Sequence, residues 1–326
     1  MSKKKVILDC DPGHDDAFAI MLSVQNLDVL GITCVGGNTP LPNVTRNALT
    51  VLEAIRHADE VPVFSGCSHP MVADLVTAPM FHGKSGLDGH HRPEPVHQAQ
   101  KKHAVDFIAE TVMTTDDVTI LATGPLTNVA EALNREPRMV ERVREICIMG
   151  GSVTFGNWTP AAEFNIFVDP EAAARVFNSG IHVKMCGLNL TRQSGFTDET
   201  VRRFRGMGTE VGEFAADLTE FFMQAGRKID DPTVACMHDA CAAAWVIDPS
   251  LITSAPMHID VELSGRFTRG MTVCDYRHLC GPNPIYDVAR EPQTGFKGAE
   301  PNAEAALELD YDRYMQLIYS TLRSYG

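Results

Sequence analysis

Short apolar runs punctuate the chain at KVILD (5–9), VLGITCV (29–35), VPVF (61–64), VTILA (118–122), EICIM (145–149) and HVKMCG (182–187). A Gly or Asp closes each run or follows within two residues. Runs apolar on both faces predict strands buried on two sides. Stretches with helical spacing lie between them, at 15–27, 43–57, 102–115, 126–135 and 170–178. Further helices are predicted at 197–226, 239–247 and 303–323. Alternation of strand and helix predicts an α/β fold: a mostly parallel, doubly wound sheet with helices on both faces. No repeat, low-complexity tract or linker divides residues 1–326, which predicts a single domain.

Ligands of such sheets bind beyond the carboxyl ends of the strands. The residues expected there are Asp9 and Asp11, Gly36-Gly37-Asn38, Gly66, Thr123-Gly124, Gly150-Gly151 and Asn189. These are small or oxygen-bearing, and none is basic. They suit a cation and hydroxyl groups better than a phosphate. Two irregular segments, 66–100 with five histidines and 226–237 between two helices, read as lids over such a site.

Bulk charge narrows the partners. The net charge of −14 and a pI near 5.3 argue against nucleic acid or an anionic membrane. Nine cysteines, mostly inside apolar stretches, suit reduced core thiols, and neither CxxC nor HExxH appears. No apolar run reaches the ~18 residues that span a bilayer, and the start MSKKKVILD lacks a signal-peptide core. A cytoplasmic protein is expected, so the sequons at Asn43, Asn157 and Asn189 carry no weight.

Three segments hold candidate chemistry. DCDPGHDD gathers Asp9, Asp11, Asp15 and Asp16 where strand 1 ends and a helix begins. Capping and dipole compensation explain one or two acidic residues there, not four. Several carboxylates suit a hard divalent cation, Ca2+ more than Mg2+, with Asp9 as a supporting member. NWTPAAEFNI places Asn157, Glu163 and Asn165 in an otherwise apolar stretch, a pattern suited to gripping a polyol. Asp169, followed by Pro170, reads as a plain helix cap. In CMHDACAAAWVID, His238 and Asp239 precede an apolar helix. Asp239 could simply cap it, whereas a histidine near a metal could act as a general acid.

Other motifs fall short. APMFHGKS has Ala78 where a P-loop needs its first glycine. No G-x-G-x-x-G follows strand 1, and no G-x-S-x-G elbow is present. DCDPG superficially matches the D-x-D of phosphatases whose first Asp is a nucleophile, which would make Asp9 the reactive group.

With DCDPGHDDAFAI, GGN (36–38), TGPLTN (123–128), MGG (149–151), GNWTPAAEFNI and HDA (238–240) in this order, the chain resembles the inosine–uridine-preferring nucleoside hydrolases nearly end to end. The resemblance implies hydrolysis of the N-glycosidic bond of ribonucleosides to ribose and free base, with a bound Ca2+. It implies metal ligation by Asp11, Asp16, the Thr123 carbonyl and Asp239. Asp15, Asn38 and Asn165 would grip the 2′- and 3′-hydroxyls, with Asn157 and Glu163 towards the 5′ side and Phe164 lining the ribose pocket. Asp11 would be the general base and His238 the first choice to protonate the departing base. His82 is a second candidate, since FHGKSGLDG resembles the pyrimidine-preferring members and implies uridine and cytidine as substrates. The chain departs from many relatives at 223–237, which holds no Phe, Tyr or Trp. Family members are homodimers or homotetramers, so the same is expected here. The competing expectations are a non-catalytic nucleoside-binding protein and the phosphatase.

Overall fold

The computed structural model describes residues 3–227, 234–280 and 300–326. Residues 228–233 of the expected lid 226–237 lie outside the described residues. Six strands form the parallel body of a nine-stranded sheet: β1 (Lys5–Cys10), β2 (Asp28–Cys34), β3 (Val63–Ser65), β4 (Val118–Ala122), β5 (Glu145–Met149) and β6 (Val183–Cys186). Their spatial order is β3-β2-β1-β4-β5-β6, so the direction of winding reverses between β1 and β4. That reversal opens a crevice at the carboxyl ends of these two strands. Successive β1 side chains feed opposite layers. Val6, Leu8 and Cys10 join one apolar core, and Ile7 joins the core on the other face.

Helices cover both faces. On one side lie α1 (His14–Asn26), α2 (Leu41–Ala54), α10 (Glu210–Gly226) and α11 (His238–Ile247). On the other lie α4 (Ala104–Thr114), α5 (Thr127–Arg135) and α7 (Pro170–Phe177). α1 and α11 pack together, which brings the acidic start of α1 beside the start of α11.

Two expectations from the sequence need correction. The stretch 303–323 is not one helix. It is strand β11 (Ala303–Leu309) followed by the helix Tyr311–Arg323, whose start Asp310 caps by accepting the Arg313 N–H. β11 runs parallel to β6 and antiparallel to β9 (Ile252–Val261), which pairs with β10 (Thr272–Asp275) at the sheet edge. The predicted helix 197–226 is two helices, α9 (Asp198–Arg205) and α10. Gly208 breaks it with φ +69, and the Thr209 hydroxyl caps α10. No helix of the described residues is long and apolar enough to cross a membrane.

Candidate active site

The crevice between β1 and β4 is floored by carboxylates. Asp11 leaves β1, and Asp15 and Asp16 occupy the first turn of α1, where the helix dipole favours negative charge. Asp239 opens α11. All four are buried. One oxygen each from Asp15, Asp16 and Asp239 lies within 4.8 Å of the others. Asp11 approaches from β1 and is held by Asn38, whose backbone N–H donates to Oδ2 at 2.6 Å. Oδ1 of Asp11 and Oδ1 of Asp15 are buried without a hydrogen-bond partner. Burial, and repulsion from neighbouring carboxylates, pushes Asp11 and Asp239 upward in pKa and Asp15 up to about 7, and burial alone pushes Asp16 upward. Buried, mutually repelling oxygens with spare lone pairs fit a hard divalent cation held by oxygen ligands.

Asp9 is a different case. It is fully buried in β1, where Oδ1 accepts the Thr33 hydroxyl at 2.6 Å and Asn128 Nδ2 at 2.8 Å. Burial pushes it up to about 7. It is not part of the cavity lining, which leaves a phosphoryl-transfer nucleophile at this position without access to substrate.

Around this floor a cavity of about 620 Å³ opens. Asp15, Asn38, Thr123 and Asn165 line it, while Asp11 and Asp16 are buried and not part of the lining. Asn38 Nδ2 donates to the Asp11 carbonyl at 3.1 Å, and the Thr123 hydroxyl donates to Asp16 Oδ1 at 2.8 Å. Asn165 Nδ2 donates to the carbonyls of Thr123 at 2.8 Å and Met149 at 3.1 Å. Glu163 caps α6 (Phe164–Val168), accepting N–H groups from Asn165 at 2.9 Å and Ile166 at 3.1 Å, and from Gly151 at 2.9 Å. Burial nevertheless pushes Glu163 up to about 7. Asn157 Oδ1 accepts the Phe164 N–H at 2.9 Å, and Trp158 packs edge-on against Phe164. Asp169 is the helix cap expected of it, and it also accepts the Thr127 hydroxyl and the Met71 N–H.

His82 and His238 also line the cavity. His82 ends the short helix α3 (Pro79–His82) in the middle of segment 66–100. Each histidine is held by the protein through Nδ1. For His238 the partner is the Thr191 hydroxyl at 2.7 Å, and for His82 it is His14. Nε2 is therefore the nitrogen each has left for a ligand. Burial lowers both pKa values, His238 to about 4 with help from nearby Arg192, so both rings are neutral at pH 7.

A model described as inosine-uridine preferring nucleoside hydrolase matches residues 6–316. The chain belongs to this family. It is an enzyme, a hydrolase of N-glycosyl bonds. It is 41% identical over 325 residues to the pyrimidine-specific ribonucleoside hydrolase RihA of Escherichia coli (strain SMS-3-5 / SECEC), covering 98% of this chain and 99% of RihA. The same fold occurs in the solved purine-preferring ribonucleoside hydrolase from Gardnerella vaginalis, at a TM-score of 0.87, 31% identity and 99% coverage of both chains. It occurs again in the plant nucleoside hydrolase PpNRh1, at 0.89, 30% and 99% of both chains.

Sequence reasoning missed several cavity residues of this nucleoside hydrolase. Phe222 sits on α10, one residue before the aromatic-free stretch 223–237, and stacks on His82 at 5.3 Å between ring centroids. The pair Phe221-Phe222 was its only sequence signal. Arg192 follows α8 (Leu188–Thr191) and lines the cavity, although the residues expected at the strand ends include no base. Thr191 and His14 gave no local sign of acting on the two histidines.

Proposed function

We propose that this enzyme hydrolyses pyrimidine ribonucleosides, uridine and cytidine, to ribose and free base, and that it requires Ca2+. The observation that carries the reading is the lining of the cavity, which combines carboxylates and amides with two neutral imidazoles whose Nε2 is uncommitted. The 41% identity to a pyrimidine-specific relative supports the choice of base.

Asp11, Asp16, Asp239 and the Thr123 carbonyl would hold the cation, with Asp15 beside them. When bound, it supplies charge neutralisation, a grip on vicinal hydroxyls and acidification of water. Asp15, Asn38 and Asn165 then orient the ribose 2′- and 3′-hydroxyls, and Asn157 and Glu163 its 5′ end. As the bond to the base stretches, positive charge grows on the ribose, and the buried carboxylates stabilise it. Asp11, its pKa raised by burial and Asp16, accepts the proton of the attacking water through the unpartnered Oδ1.

His238, neutral, donates a hydrogen bond to the departing base through Nε2, the Thr191 hydroxyl donating to Nδ1 from behind. His82 contacts the base from its own side, with Phe222 packed against it. Segment 66–100 acts as a cover that carries His82 inward; His90–Asp217 and His97–Glu53 contacts, each 2.7 Å, tie it down. The free cysteines among the described residues suit a reducing, cytoplasmic setting.

Initial rates on uridine, cytidine, inosine and adenosine test this. Uridine and cytidine should exceed both purine nucleosides at least about tenfold in kcat/KM, a difference of ~1.4 kcal/mol. A purine preference would overturn the choice of base and leave the hydrolase chemistry standing.

A further inference from the structure

We infer that His14 is a positioning residue for His82, which it holds through Nδ1 from behind the cavity so that Nε2 of His82 meets the base. This rests on the reading of His82 as a base-facing group. His14 is the first residue of α1, fully buried, and absent from the cavity lining. Its Nε2 lies 2.7 Å from the Asp88 carbonyl, which can only accept, so that nitrogen carries a hydrogen. On the other side its Nδ1, bare because Nε2 carries the hydrogen, lies 3.2 Å from His82 Nδ1 and accepts the hydrogen that His82 carries there, the His14 backbone N lying 3.3 Å from the same atom. That contact fixes the tautomer and the facing of the His82 ring and leaves its Nε2 a bare acceptor.

The supports of His14 are themselves fixed. Its ring lies parallel to Phe221, 5.1 Å away at 7°, and to Phe222, 5.5 Å away at 4°. Phe222 also stacks on His82, so the two imidazoles share one aromatic neighbour. The Asp88 carboxylate closes the turn that presents its carbonyl, accepting N–H groups from Lys84 and Ser85 at 3.1 Å and the Ser85 hydroxyl. Gly13 makes the approach possible, because a Cβ there would lie 2.5 Å from His82 Nδ1. A histidine is a poor electrostatic choice for the first turn of a helix. Packing alone would be served by phenylalanine, yet both ring nitrogens here are engaged at opposite ends.

The experiment compares His14→Phe, which keeps the ring stack, His14→Asn, which keeps a polar atom near the Nδ1 position, His82→Ala and the double variant His14→Phe/His82→Ala. Each is assayed on uridine and on 4-nitrophenyl riboside, whose phenolate departs without a proton, and each is checked by thermal unfolding. His14→Phe should lower kcat on uridine about tenfold or more and on the activated riboside less than about threefold, with His14→Asn recovering part of the loss. In the His82→Ala background, His14→Phe should cost less than about twofold further. Equal losses on both substrates, or losses that multiply in the double variant, would overturn the inference. Unaltered uridine turnover in His82→Ala would instead overturn the reading of His82 on which it stands.

Discussion

Asp11 and Asn38 are joined by a 2.6 Å hydrogen bond from backbone N–H to carboxylate, which ties the end of β1 to the turn after β2. The approach needs Gly37, where a Cβ would fall 2.0 Å from Asp11 Oδ2. One carboxylate oxygen is thus committed to the fold, and the other remains for chemistry.

Asp11→Asn separates those two duties. The amide oxygen can still accept from Asn38, so the fold should survive, with a thermal midpoint in chelator close to that of the wild type. Turnover of uridine should fall roughly 10²–10⁴-fold, the range of a lost general base. Near-wild-type kcat in a folded variant would remove Asp11 from that role.

Chelation should make stability depend on pH. Burial pushes Asp9 and Asp15 up to about 7, and Asp11, Asp16 and Asp239 move upward too. Unfolded, such groups ionise near about 4. The metal-free fold therefore keeps protons that the unfolded chain has released. That stabilisation is complete below about pH 4 and is lost as pH rises through about 7. The thermal midpoint with chelator should fall between about pH 5.5 and pH 8, and saturating Ca2+ should flatten the fall. A profile unchanged by Ca2+ would speak against a cation at this cluster.

Thr191→Val tests the support of His238 without touching the imidazole. Valine matches threonine in shape but cannot donate to Nδ1, so kcat on uridine should drop several-fold with little change in KM. His238→Ala should lose about 10²-fold on uridine and far less on 4-nitrophenyl riboside. Steady-state kinetics on both substrates decides, and equal losses would assign His238 a binding role.

Asn165→Ala removes one donor shared by two buried carbonyls, those of Thr123 and Met149. A buried acceptor left unpaired costs about 1–3 kcal/mol. Denaturant unfolding should show a loss of that size, together with a raised KM for uridine. An unchanged midpoint would mean that water replaces the amide.

The parallel body of the sheet was legible because β1, β4, β5 and β6 are apolar on both faces, as strands covered by helices on two sides must be. The acidic floor was legible because four carboxylates at one strand end exceed what a helix start can use. β11 was not legible. AEAALEL reads equally as a helical face, and its strand state depends on partners far away in the chain, Val183 and Met257 opposite Ala303. His14, Thr191 and Phe222 stayed hidden for the same reason. Each acts on a histidine 47 to 140 residues distant, and no local pattern marks such a pair.

The most direct measurement is ribose release from uridine by the intact enzyme, with chelator and then with Ca2+ restored. Release that disappears with chelator and returns with Ca2+ is the predicted result. No release under any condition, despite Ca2+-dependent uridine binding, would contradict hydrolysis and leave a binding protein in its place.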